Sequence, residues 1–173
     1  MGSAVVVSVS NRAAAGVYDD TTGPRIVSAL QAWGFDPVQR EVVPDGTPVE
    51  AALRDAVAVG ASVVITTGGT GINPHDETPE MTMRVVDKEM RGIAEAIRAY
   101  GTAKGIATAS LSRGVAGIAG NTLVVNVPGS VGGVKDALAV LEPILSHAVD
   151  QLRGGDHMRA EDDGAGAVNG GTS

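Results

Sequence analysis

Residues 62–80 read SVVITTGGTGINPHDETPE. Ser62 to Thr67 is a short, uncharged, β-branched run, as expected of a strand buried on both faces. Gly68-Gly69-Thr70-Gly71 follow at once, so the chain leaves that strand through backbone open to conformations other residues avoid. Thr78-Pro79-Glu80 then opens a helix, with Thr78 as its cap. Strand, glycine loop and helix in this order are the start of a strand–helix–strand unit, the building block of parallel sheets.

The flanking sequence repeats the alternation. Ala4 to Ser10 (AVVVSVS) predicts a buried strand and Asn11 to Gly23 a polar loop. Ile26, Val27, Leu30 and Trp33 recur at helical spacing until Gly34 stops them. Val38, Arg40 and Val42 alternate as a strand, and Pro44-Asp45-Gly46 is a turn. Thr47-Pro48-Val49-Glu50 reads as a capping box, with a helix through about Val59. Arg91 to Tyr100 predicts a helix, Ile106 to Leu111 a strand and Thr122 to Val127 (TLVVNV) a stronger one. From Val131 to Leu152 a long helix carries Val134, Leu138, Leu141, Leu145 and Val149 on one side. The expected fold is α/β: three layers, a mostly parallel sheet with helices on both faces. Residues 1–153 form one domain. Gly154 to Ser173 lose all periodicity and read as a disordered tail.

Composition narrows the function. The 173 residues include no cysteine, so disulfides, thiolate metal sites and cysteine nucleophiles are excluded. Net charge is -7, and only 2% of residues are aromatic. A broad basic surface and stacking platforms for nucleic acid are therefore not expected. The apolar runs fall far short of the ~18 residues a membrane helix needs. No signal peptide is evident, and the composition suits the cytoplasm. Such a chain can still bind phosphate, but then locally, through backbone N–H groups and a few cations.

Three loops at predicted strand ends carry candidates. In Thr66 to Asp76 the glycines let backbone approach an anion, with Thr67 and Thr70 adding hydroxyls; the alternative is a sharp turn that simply needs glycines. The run is neither a P-loop nor a dinucleotide fingerprint. Asp45 is either an ordinary turn former or, with Asp76, a ligand of one divalent cation. Arg113 is either a phosphate clamp or a surface arginine. Ser130 fits an N-cap of the last helix. His75 reads as exposed and replaceable. His147 and His157 show no zinc spacing with it.

Four segments carry a resemblance. Thr67-Gly-Gly-Thr-Gly-Ile-Asn-Pro-His-Asp-Glu-Thr-Pro-Glu80 resembles the signature of molybdenum cofactor biosynthesis proteins of the Mog and MoaB type. Ser10 to Asp19, Leu111 to Gly117 and Asn126 to Ser130 resemble three further segments of that family. They occur in the same order, across about Ala4 to Leu152. The resemblance implies a molybdopterin-binding fold, a homotrimer, and adenylylation of molybdopterin by ATP with Mg²⁺, releasing pyrophosphate. It implies hand-off of the product to a molybdenum-insertion enzyme, and it leaves a MoaB-type or non-catalytic pterin-binding role as the alternative. Asp45 and Asp76 fall where the family's required aspartates stand, as catalytic residues and as Mg²⁺ ligands. Thr67, Gly68, Gly69, Thr70 and Gly71 fall in its ligand loop. Ser112, Arg113, Pro128, Gly129 and Ser130 fall in segments lining the same site.

Overall fold

The computed structural model describes residues 1–154. All but the first residue of the tail expected from Gly154 onward, and His157, lie outside the described residues. The element order is β1 (Gly2–Val9), α1 (Asn11–Ala14), α2 (Gly23–Ala32), β2 (Phe35–Val43), α3 (Thr47–Ala58), β3 (Val63–Thr67), α4 (Thr78–Met83), β4 (Lys88–Glu89), α5 (Arg91–Ala103), a 3₁₀ turn (Ala107–Leu111), β5 (Ala116–Ala119), β6 (Thr122–Val127) and α6 (Val131–Leu152).

Six strands form one sheet in the order β2-β1-β3-β6-β5-β4. The first four are mutually parallel; β5 runs antiparallel to β6, and β4, at the edge, runs antiparallel to β5. Alternate side chains of the central strands feed two cores. Val6, Ile65 and Val125 pack with Ile26 and Leu30 of α2, Ile97 of α5 and Leu141 of α6. Val7, Val64 and Val124 pack on the other face with Val49 and Leu53 of α3 and Met81 of α4. Both faces are dry, which is why these strands are uninterrupted Val/Ile runs rather than alternating ones. The expected three-layer α/β fold is the fold observed. Among the described residues no helix is long and apolar enough to cross a membrane.

Some local expectations fail for physical reasons. Ile106 to Leu111 is not a strand. Ile106 and Leu111 are about half exposed, and the segment packs as a 3₁₀ turn on α5. Asn11 to Gly23 contains a helical turn, α1, capped by the Ser10 hydroxyl. The capping box at Thr47 does not form: Gly46 is the N-cap, Thr47 is already helical, and Glu50 pairs with Arg54 and Arg84 instead. Thr78 likewise lies inside α4, whose N-cap is Glu77. Ser130 does cap α6, accepting a hydrogen bond from the Gly133 N–H at 3.0 Å. The unexpected β5 joins β6 through the two-residue turn Gly120-Asn121.

The register places the site. Val42, Ser8, Thr67 and Val127 stand in register near the ends of β2, β1, β3 and β6. The connections from β1 and β3 leave in opposite directions along the sheet. This is the topological switch point at which open α/β sheets bind ligands.

Candidate active site at the carboxyl end of the sheet

Gly68 begins the central loop at φ +101°, and a Cβ there would collide with the Val9 carbonyl oxygen. Gly69 follows at φ +63°. A side chain at either position would be strained, so the sharp exit from β3 depends on glycine. Thr67 is buried, and its hydroxyl donates to the Pro128 carbonyl at 2.9 Å. It ties β3 to the segment after β6 rather than presenting a free donor.

The next three residues have their carbonyls pinned. The Gly69 oxygen accepts from the Thr78 N–H at 3.1 Å and the Thr70 oxygen from the Arg113 N–H at 2.8 Å. The Gly71 oxygen accepts from Arg113 Nε at 2.7 Å. Among the described residues, the N–H groups of Gly69, Thr70 and Gly71 donate to no protein acceptor. Successive unpaired N–H groups in a loop make an anion-binding concavity.

Arg113 does more than carry charge. Besides Gly71 it reaches the Asp76 carbonyl through Nη2 at 2.6 Å, and Nη1 pairs with the Glu80 carboxylate. Its guanidinium is spent on straps across residues 71–80.

Asp45 arrives from the turn after β2. Its Oδ1 accepts from the Gly46 N–H at 2.7 Å and the Glu77 N–H at 3.1 Å. Burial pushes its carboxyl above the ordinary value; those two N–H groups pull it down, and the charges of Asp76 and Glu77 push it up again. Asp76 accepts from the Asn73 N–H at 3.2 Å. The fold thus brings the two aspartate-bearing loops together. His75 is exposed.

Two cavities flank this centre. A 180 Å³ pocket at the ends of β1 and β3 is lined by Ser8, Thr22, Thr67, Gly68 and Gly129 among others. A 320 Å³ pocket between α5 and the start of α6 is lined by Ser112, Pro128, Ser130, Lys104 and Asp136 among others. The candidate residues therefore divide: Thr67, Gly68 and Gly129 on one side, Ser112, Pro128 and Ser130 on the other, with Gly69 to Gly71 and the two aspartates outside both.

Asp20 was not among the candidates. Its side chain is 7% exposed. It accepts from the Ser8 hydroxyl, the Thr22 N–H at 3.1 Å and the Gly23 N–H at 2.9 Å, and it pairs with Arg40 at 2.6 Å. An Asp three residues before Gly23-Pro24 was the available signal, since Asx turns and caps have this form. Burial alone would raise its carboxyl, but the hydrogen bonds from Ser8, Gly23, Arg40 and Thr22 together hold it below the ordinary 3.8. The ionised form therefore stabilises the fold fully above that value, and the stabilisation is lost as pH falls through the lower, folded one. Asp20→Asn is expected to cost about 1–3 kcal/mol at neutral pH. Denaturant melts of the two proteins should converge below pH 3.8; a gap constant with pH would refute the assignment.

Comparison with known proteins identifies the family. The family model described as "Probable molybdopterin binding domain" matches residues 5–147. A molybdopterin adenylyltransferase of Haemophilus influenzae is 40% identical over 77% of this chain and 69% of its own length. A molybdenum cofactor biosynthesis bifunctional protein of Synechococcus elongatus is 35% identical over 89% of this chain; the chain spans about half the length of that relative, 48%. The structure of the Mog protein of molybdopterin biosynthesis from Mycobacterium ulcerans is 51% identical, covers 88% of this chain and 99% of its own, and superposes with a TM-score of 0.85. With its fold, its glycine loop and this match over most of its length, the chain belongs to the molybdopterin-binding domain family, among the molybdenum cofactor biosynthesis proteins of the Mog/MoaB type.

Proposed function

We propose that this protein adenylylates molybdopterin. A phosphate oxygen of molybdopterin attacks the α-phosphorus of ATP. The bond from that phosphorus to the bridging oxygen of the β-phosphate breaks, and pyrophosphate leaves with the electron pair. The observation that carries the reading is the loop at Gly69 to Gly71, its carbonyls pinned and its N–H groups open beside two carboxylates. A phosphate monoester is already nucleophilic, so the protein's task is positioning and charge neutralisation. That suits a site without a buried histidine base.

In this reading Gly69, Thr70 and Gly71 hold a phosphate, while Thr67 and Gly68 shape the loop. Ser112, Pro128, Gly129 and Ser130 line the space for the rest of the two substrates. Arg113 holds the cradle in place. Mg²⁺ belongs to the reading as well. Among the described residues no group of three or more His, Cys, Asp or Glu surrounds a metal position. Mg²⁺ bound to nucleotide phosphates needs only one or two carboxylates, and Asp45 and Asp76, hard oxygen donors in adjacent loops, meet that requirement. When bound, the ion neutralises charge on the triphosphate. A cytoplasmic homotrimer, passing its product to a molybdenum-insertion enzyme, completes the proposal on family likeness, and sedimentation equilibrium checks the trimer.

The direct test incubates the full chain with molybdopterin, ATP and Mg²⁺ and follows adenylyl-molybdopterin and pyrophosphate by mass spectrometry. Product that depends on all three supports the reading. Folded protein that binds the pterin without making product is a binding or delivery protein instead.

A further inference from the structure

Arg98 stands half-buried in the middle of α5. It lines the 320 Å³ pocket beside α6 and also a 260 Å³ cleft shared with Glu89, Glu95 and Arg113. Two carboxylates border that cleft, yet Arg98 forms an ion pair with neither: Glu89 holds Arg91, and Glu95 has no ion pair among the described residues. The Arg98 guanidinium goes to backbone instead. Its Nη1 donates to the Gly114 carbonyl at 3.0 Å and, more weakly, to the Ser112 carbonyl at 3.4 Å. What the fold gains is two fixed carbonyls, and they flank Arg113.

The segment these carbonyls belong to has little else to hold it. Residues 112–115 lie between the 3₁₀ turn and β5, outside both. The Arg113 N–H donates to the Thr70 oxygen at 2.8 Å, and the Val115 N–H to the Asn126 side-chain oxygen at 3.2 Å. The Gly114 N–H reaches the Ser112 hydroxyl only at 3.4 Å. On the carbonyl side, Ser112 and Gly114 accept from no donor but Arg98 among the described residues. Gly114 is buried, so its carbonyl has no ready substitute in water.

We infer that Arg98 is a positioning residue for the proposed reaction: it anchors the segment Ser112 to Gly114 to α5, so that Arg113 keeps its reach to the glycine loop. The two arginines act in series. Arg98 fixes the carbonyls on either side of Arg113, and Arg113 fixes those of Gly71 and Asp76. The base of the series is α5, held by Ile93 and Ile97 in the core. The consequence for turnover rests on the proposed adenylylation; the hydrogen bonds do not. Orientation of this kind acts on turnover rather than on ground-state affinity. In this assignment Arg98 touches no reacting atom and acts through Arg113.

The test compares Arg98→Met and Arg98→Lys with the wild type. Methionine keeps a long apolar stem and removes the donors. Arg98→Met is expected to fold and to lose about tenfold in kcat, with KM for ATP and for molybdopterin changed less than about twofold. Lysine can serve both carbonyls from its one nitrogen, as Nη1 does, and Arg98→Lys restores kcat to within about threefold. In an Arg113→Ala background Arg98→Met costs less than about twofold more, because the step it acts through is already gone. Amide hydrogen exchange gives a readout that needs no activity. In Arg98→Met it accelerates at residues 113–115 and, through Arg113, at 71–77, while β1, β3 and β6 keep the wild-type rate; a general loosening of the fold would accelerate all of them. Wild-type kcat in a folded Arg98→Met protein, or a loss that multiplies with that of Arg113→Ala, overturns the inference. A loss confined to KM makes Arg98 a direct phosphate ligand and overturns it too, as does unchanged exchange at 71–77. Should the methionine variant not fold, Arg98→Gln carries the same measurements. Should the wild type prove unable to adenylylate molybdopterin, the exchange comparison still decides the series, and the two failures remain distinct.

Discussion

Asp45→Asn is expected to lower kcat by about 100-fold or more while leaving the protein folded. Asparagine keeps the shape of the side chain, and its carbonyl still accepts from the Gly46 and Glu77 N–H groups, so the turn after β2 stays closed. What changes is the other oxygen. Oδ2 becomes an amide NH₂, a donor where the proposed chemistry needs an anionic acceptor for a cation or a reacting group. Stability should move the opposite way. Burial raises the Asp45 carboxyl, and Asp76 and Glu77 add to the rise. A carboxyl raised in the fold contributes stability that is fully present below its unfolded value and is lost as pH rises through the folded one. At neutral pH the ionised Asp45 is therefore a cost to the fold that asparagine removes. Steady-state kinetics with thermal melts check both halves: turnover falls, and Tm holds or rises. Near-wild-type kcat would remove Asp45 from the machinery. Asp76→Asn should reduce turnover in the same way, as the second carboxylate of the pair.

How far the sequence reveals this site depends on how local the cause is. The central strands are legible because burial on both faces demands continuous Val and Ile, and Ala4 to Ser10, Ser62 to Thr67 and Thr122 to Val127 supply them. Their parallel register then carries Asp45 and the glycine loop to one edge without further information. Helix caps are less legible. Thr47 and Thr78 have the cap's chemistry, but each sits one residue inside its helix, because Gly46 and Glu77 adopt the non-helical backbone instead. β5 is hidden for a different reason: Ala116 to Ala119 carry a single β-branched residue, Ile118, and become a strand by pairing with β6. The Gly120-Asn121 turn between the two runs was the signal that does exist in the sequence. Ile106 to Leu111 shows the reverse error, a run with strand-like residues that packs on α5 as a 3₁₀ turn. Least legible are the partners of a long polar side chain. Arg113 looks like a phosphate clamp because guanidinium suits phosphate, yet its acceptors are carbonyls some forty residues earlier, chosen by the packing of two loops.

That placement makes Arg113→Ala the second substitution with a large expected effect: about 100-fold in kcat, with a modest change in stability. The Glu80 ion pair contributes little, since Arg113 and Glu80 are 37% and 50% exposed and such pairs are worth at most ~1 kcal/mol. The main-chain bond from the Arg113 N–H to Thr70 survives the substitution. What goes is the fork that holds the Gly71 and Asp76 carbonyls together. Residues 71–76 are then free to drift, and with them Asp76 and the edge of the N–H cradle. A displacement of about 1 Å in a positioning element can cost about 100-fold in rate. Arg113→Lys separates this from direct phosphate binding. Lysine keeps the charge and would serve as a point-charge clamp, but an ammonium cannot bridge two carbonyls as the planar fork does. A strap therefore predicts that the lysine variant also loses turnover, by about tenfold, and that Glu80→Gln changes little. Amide hydrogen exchange across residues 71–77 gives the readout apart from activity: it should accelerate in both Arg113 variants and stay at the wild-type rate in Glu80→Gln. Unchanged protection in Arg113→Ala, with the whole loss in KM for ATP, would return Arg113 to the role of a phosphate clamp.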